Sequence, residues 1–331
     1  MAEVVLALAS SHSPMLGSPV EDFLKHADRD KASRSHLDRT GAEVTYGELL
    51  AKADPAIAAE LAAGVIAARV ADCQAGVDRL AEALEAVRPD VVVVVGDDQK
   101  EQFLEDNLPA ILIYSGETVE NDVLPLPESA PAYWKKARSQ FHEPAARRTY
   151  PVAAGLARHM TESLVAAGFD ISHSERLPRP TGEGHAYGFV HQRLMRGNVA
   201  PIVPVVLNTY YPPNQPTPKR CFAFGAALAD AVRSWPEDIR VAFVASGGLS
   251  HFTVNEDLDR TVMEGFLAAD GRVLAGIPRA LLNSGNSEIR NWIAVAGAAQ
   301  GLSPDWHSYV PCYRTEAGTG CGMGFAVLSK H

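Results

Sequence analysis

The chain has 331 residues, with 40 acidic against 30 basic side chains, a formal net charge of −10, 47% hydrophobic residues and 21% charged ones. This is a globular composition, able to bury about 75% of the unfolded surface, and it excludes a disordered chain or a coiled coil. No basic block exceeds Lys135-Lys136 or Arg147-Arg148, which excludes nucleic-acid phosphates as the main partner. Residues 3 to 9 read as a short apolar strand running into the Ser-Ser-His-Ser-Pro turn at 10 to 14. The polar stretch 15 to 54 predicts a loop-rich excursion with a short helix at 46 to 53. The alanine-rich segment 55 to 87 predicts one or two long helices. Five valines at 91 to 95, ended by Gly96-Asp97-Asp98, give a strand covered on both faces. A proline-rich surface excursion with a strand near 110 to 114 fills 104 to 150. Helices are expected at 151 to 167, 221 to 232, 256 to 275 and 286 to 300, with strands at 169 to 174, 201 to 207, 241 to 245 and 322 to 328. Strands alternating with helices, uninterrupted by a linker or repeat, predict a single three-layer α/β domain with a central mixed sheet flanked by helices.

Cys73, Cys221, Cys312 and Cys321 lie far apart without a CxxC pair, as suits buried reduced thiols rather than a disulfide framework. The N-terminal Met-Ala-Glu-Val-Val-Leu lacks a basic leader region, and no apolar run approaches about 18 residues. A soluble cytoplasmic protein without a membrane role is therefore expected.

Polar residues at strand ends of an open α/β sheet gather at one crevice. Four such clusters stand out: His12 in Ser-Ser-His-Ser-Pro, Asp97-Asp98-Gln99, His251 after Ser-Gly-Gly-Leu-Ser, and Glu288 opening a helix. A fifth, His185 in Gly-His-Ala-Tyr-Gly, is flanked by glycines and reads as a loop. Each has an ordinary structural role available: a histidine caps a turn, an aspartate closes one, and a glutamate favours a helix N-terminus. No GxSxG, GxxxxGK[ST], HExxH or GxGxxG is present, so hydrolase, P-loop, zincin and dinucleotide signatures are absent. Two histidines and a carboxylate from separate strand ends suit a non-haem metal with open positions.

Taken in order, these stretches resemble the class III extradiol ring-cleavage dioxygenases, the family of the protocatechuate 4,5-dioxygenase catalytic subunit. The matching runs are Ala-Ser-Ser-His-Ser-Pro-Met-Leu-Gly at 9 to 17, Pro-Asp-Val-Val-Val-Val-Val-Gly-Asp-Asp at 89 to 98 and Tyr-Pro-Pro at 211 to 213. Lys-Arg-Cys-Phe-Ala-Phe-Gly at 219 to 225, Ser-Gly-Gly-Leu-Ser-His at 246 to 251 and Ser-Glu-Ile-Arg-Asn-Trp at 287 to 292 complete them. Residues 19 to 84 have no counterpart and read as a helical insert in a domain spanning 1 to 331.

The resemblance implies extradiol cleavage of a catecholic or gallate-type aromatic acid with dioxygen and Fe(2+), in a homo-oligomer. It makes His12 and Glu288 metal ligands, His251 the acid/base and His185 a second active-site histidine beside the substrate. Where the family has its remaining ligand histidine, this chain has Gln99, and a neutral amide oxygen is a weaker donor than imidazole. Three outcomes stay open: Gln99 or Asp98 completes the metal site, His36 from the insert swings in, or the metal is lost. The last would leave a non-oxygenase, a metal-free binding protein or a partner subunit on the same scaffold. An anionic substrate requires a local cation, for which Arg290, Arg314 and Lys100 are candidates.

Overall fold

The computed structural model describes residues 1–330. The valine run forms β2 (Val91–Asp97), and its side chains alternate between two apolar layers. Val91, Val93 and Val95 enter one cluster, Val92 and Val94 the other, all at most 7% exposed. A β-branched run of this kind suits a strand with no solvent face. Beside it lie β1 (Glu3–Ser10), β5 (Ile202–Leu207) and β6 (Arg240–Ser246), giving a parallel centre in the order β1, β6, β2, β5. On one flank β3 (Ile111–Tyr114) runs antiparallel to β5, with β4 (Ser172–Ser174) beyond it. On the other flank β9 (Thr319–Ser329) pairs antiparallel with β1, with β7 (His251–Thr253) and with β8 (Ser303–Tyr313).

Helices cover both faces. On one side α1 (Ala63–Val87) sets Cys73, Val77, Leu80 and Leu84 against the sheet. On the other side α2 (Ala154–Ala166), α4 (Pro218–Arg233) and α6 (Ile289–Ala298) bury Leu156, Met160, Phe224, Leu228, Trp292 and Ile293. The expected three-layer arrangement with a mixed central sheet is observed. No helix of the described residues is long and apolar enough to cross a membrane.

Several local expectations are corrected. The helix expected at 256 to 275 is two: α5 (Glu256–Leu267) and Gly271–Ala275, separated where Ala269 takes φ 46°. The strand expected from 169 is confined to Ser172–Ser174. The loop expected around His185 is a short helix, α3 (His185–Phe189). Residues 19 to 84 divide in two. Their second half supplies α1. Their first half holds Val20–Phe23, Ala27–Ala32 and a ribbon of His36–Leu37 with Glu43–Val44. Tyr46–Lys52 follows as a helix started by a capping box of Thr45 and Glu48.

That first half is fastened from below. Arg314, from the turn between β8 and β9, lays its guanidinium across Asp30, Nε to Oδ2 at 2.7 Å and Nη2 to Oδ1 at 2.9 Å. Thr319 donates to the same carboxylate at 2.7 Å, and both ionic partners are buried.

Candidate active site

The parallel strands β1, β2 and β6 end side by side, and each delivers a polar group at its carboxyl end. His12 follows β1, Asp97 closes β2 with Gln99 just beyond, and Ser246 closes β6. His185 opens α3, Glu288 ends the turn before α6, and His251 begins β7. All five residues expected in the site, His12, Gln99, His185, His251 and Glu288, line one cavity of about 350 Å³.

Glu288 is the hub. Its Oε2 lies 3.0 Å from His12 Nε2 and accepts the Gly248 N–H at 2.5 Å. Its Oε1 lies 3.2 Å from His251 Nε2 and accepts from Gln99 Nε2 at 3.0 Å and from the Tyr210 hydroxyl at 2.8 Å. The glycine turn makes this possible: a Cβ on Gly248 would stand 2.6 Å from His251 Cε1 and 3.1 Å from Glu288 Oε2.

The hydrogen bonds fix the imidazole tautomers. Ser246 has one O–H, which donates to the Ala186 carbonyl at 2.7 Å, so its oxygen accepts from His12 Nδ1 at 3.0 Å. His251 Nδ1 donates to the Leu249 carbonyl at 2.8 Å, and His185 Nδ1 donates to Glu101 at 2.7 Å. In the neutral forms each Nε2 is therefore a lone pair, and all three Nε2 atoms face buried carboxylates. A lone pair 3.0 Å from a carboxylate oxygen is repulsive unless a proton or a metal cation lies between.

Asp97 and Glu288 are 0% and 1% exposed. Burial, then the charge of Glu288, raises the Asp97 carboxyl. Burial would also raise Glu288, but His251 and His12 outweigh it and hold that carboxyl well below its usual range. Burial opposes charge on His185, yet Glu101 pulls it up to about 9. Burial likewise opposes the fall of Glu101, which His185 brings to about 2. His251 is raised by Glu288 against its own burial. Burial and Glu288 raise Tyr210 well above a free phenol, keeping its proton on.

His12, Asp97 and His185 offer ligand atoms within 4.8 Å of one another. Glu288 Oε2 adds a carboxylate oxygen 3.0 Å from His12 Nε2. The residues present fit a divalent cation. Gln99 currently turns its amide nitrogen to Glu288, to Asp97 at 3.4 Å and to His185 at 3.4 Å. Asp98 accepts the backbone N–H groups of Gln102 and Phe103 at 2.8 and 3.0 Å and closes a turn. His36 lines the cavity, with Nε2 donating to the Asp30 carbonyl at 2.9 Å and Nδ1 buried without a hydrogen-bond partner.

The expected substrate cations are also committed. Arg290 is buried and gives its N–H groups to the carbonyls of Thr209, Pro216, Leu282 and Ser287. Arg314 holds Asp30, and Lys100 is paired with Glu105. All four cysteines are buried free thiols, as expected. Sequence reasoning passed over two contributors. Tyr210 sits in a Thr-Tyr-Tyr-Pro-Pro run that reads as a turn, and Glu101 is one acid among many. Asp97, singled out in the Asp97-Asp98-Gln99 cluster, is the last residue of a fully buried strand.

Residues 55–322 match the family described as the catalytic LigB subunit of aromatic ring-opening dioxygenase. Among curated proteins, the chain is similar to a gallate dioxygenase of Pseudomonas putida, 37% identical over 101 residues, covering 30% of this chain and 28% of that protein. It is also similar to a 2,3-dihydroxyphenylpropionate/2,3-dihydroxicinnamic acid 1,2-dioxygenase of Comamonas testosteroni, 28% identical over 185 residues, 55% of this chain and 50% of that one. A protein of the same description from Cupriavidus necator is 28% identical over 168 residues, 51% of this chain and 45% of that one. The matches thus span half or less of these relatives' lengths. The match over most of its length, with ligand-type side chains meeting at the strand ends, places the chain in the family of the catalytic LigB subunit of aromatic ring-opening dioxygenases.

Proposed function

We propose that the protein is an extradiol dioxygenase that opens the ring of a catecholic or gallate-type aromatic acid with dioxygen at a non-haem Fe(2+). The observation that carries this reading is the convergence of three imidazole Nε2 atoms on the buried carboxylates Asp97 and Glu288. A ferrous ion supplies the Lewis acid that binds the vicinal hydroxyls and the site at which dioxygen reacts. Its protein ligands would be His12, Glu288 and Gln99, with Asp97 adding negative charge. His251 Nε2, bare in the neutral tautomer, takes a proton from a substrate hydroxyl and later returns it. His185, held cationic by Glu101, donates a hydrogen bond to a substrate oxygen. Tyr210 donates to Glu288 and orients it. The proposal includes a cytoplasmic homo-oligomer, as the resemblance implies.

Protein purified without oxygen is expected to contain iron and to consume oxygen with 3,4-dihydroxybenzoate, gallate or 3-O-methylgallate. Iron-free protein, inert towards the whole panel, overturns the reading in favour of a non-oxygenase on this scaffold. For Gln99→His, metal affinity is expected to rise by about 10-fold or more, since imidazole is the stronger donor. Unchanged affinity moves the third ligand to Asp97 or His185, whose ligand atoms already lie beside His12.

A further inference from the structure

With the three expected cations committed, one guanidinium on the cavity wall is left over. Arg29 belongs to the short helix Ala27–Ala32, outside the family match at 55–322. It lines the same cavity as His12, His251 and Glu288. Among the described residues no carboxylate forms an ion pair with it. Its guanidinium stacks on the indole of Trp134, whose ring centroid lies 4.0 Å from the guanidinium carbon. Trp134 stands on Ala132–Ser139, and Arg138 of that helix lies 5.8 Å from the same ring. Two guanidiniums thus share one indole, and Arg138 alone of the two has an acidic partner, Glu101 at 3.6 Å.

A guanidinium stacked on an aromatic face loses little further freedom on binding and keeps its N–H edge available for a two-pronged carboxylate. The neighbouring groups fix this wall in place. Asp30, the next residue in the helix, is gripped by Arg314, and His26 is held by Ser18 Oγ at 2.8 Å. The wall around Arg29 is therefore pre-organised.

We propose that Arg29, propped on Trp134, is the specificity-determining residue that binds the anionic substituent of the substrate, a carboxylate on the ring or on a short side chain. The proposal rests on the catechol reading of the same cavity. Arg29 does no chemistry; it selects acids over neutral diols, and it does so from a segment the family match does not include.

The test is equilibrium binding to iron-loaded full-length protein under anaerobic conditions, followed by tryptophan fluorescence. The probes are benzene-1,2-diol, 3,4-dihydroxybenzoate and 3-(2,3-dihydroxyphenyl)propionate. The wild type is expected to bind at least one acid more tightly than the diol. Arg29→Ala is expected to weaken that acid about 10-fold, the low end for a charged hydrogen bond at a partly solvated site, and to leave the diol unchanged. Arg29→Lys is expected to fall between, keeping the charge without the fork. Equal weakening of acid and diol, an acid unaffected by Arg29→Ala, or a wild type with no preference for acids each overturns the proposal. If acids bind through Arg29 but no probe supports oxygen uptake, the ring-cleavage reading fails while the assignment of Arg29 stands.

Discussion

Replacing His251 with alanine is expected to leave the metal content unchanged and to lower kcat by about 10²–10⁴-fold, the usual contribution of a positioned acid/base. The geometry separates the two roles. His251 Nδ1 is tied to the Leu249 carbonyl and its N–H to Asn286 Oδ1, so the ring is held by the turn itself. Its Nε2 meets Glu288 Oε1, whereas His12 meets Oε2, and a ligand bound through Oε2 does not require the imidazole on the other oxygen. Metal analysis and stopped-flow turnover on one preparation check the prediction. Loss of metal in His251→Ala would make the residue a ligand.

The second large effect is expected at Glu288. Glu288→Gln preserves shape and removes the charge that His12 and His251 both face. Metal affinity is expected to drop by more than about 100-fold, beyond what losing a supporting hydrogen bond costs, and turnover with it. The fold should survive: without metal the substitution removes one buried negative charge close to another, that of Asp97, whose carboxyl Glu288 helps to raise. Thermal unfolding of metal-free protein alongside metal titration distinguishes a lost ligand from a lost fold. Retained metal in Glu288→Gln would shift the site towards His12, Asp97 and His185.

Much of this architecture is legible in the amino-acid order. An unbroken valine run specifies a strand buried on both faces, and the helical periodicities around it specify the layers. Less legible is any element whose pattern is set by distant partners. Strand β8 carries Pro304, Pro311 and several polar side chains, so its eleven residues do not alternate, and only β9 beside it makes it a strand. His185 is flanked by glycines that suggest a loop, yet Glu101 accepts both its backbone N–H and its ring. The site follows the same division. His12, His251 and Glu288 are marked by local motifs, whereas Tyr210 and Glu101 become site residues only through hydrogen bonds to groups 78 and 84 positions away. Gln99 is visible in both, and its amide occupies the point on which the acceptors converge.

The buried fork between Asp30 and Arg314 carries a consequence for how the protein can change. Removing one member of such a pair costs about 3–5 kcal/mol because it strands the other charge, so Asp30 is a rivet that substitution is expected to avoid. Arg29, its immediate neighbour, is exposed and bonded to nothing the fold depends on. One turn of helix thus places a fixed fastening next to an interchangeable reading head, so substrate preference can drift at position 29 without loosening the wall that carries it.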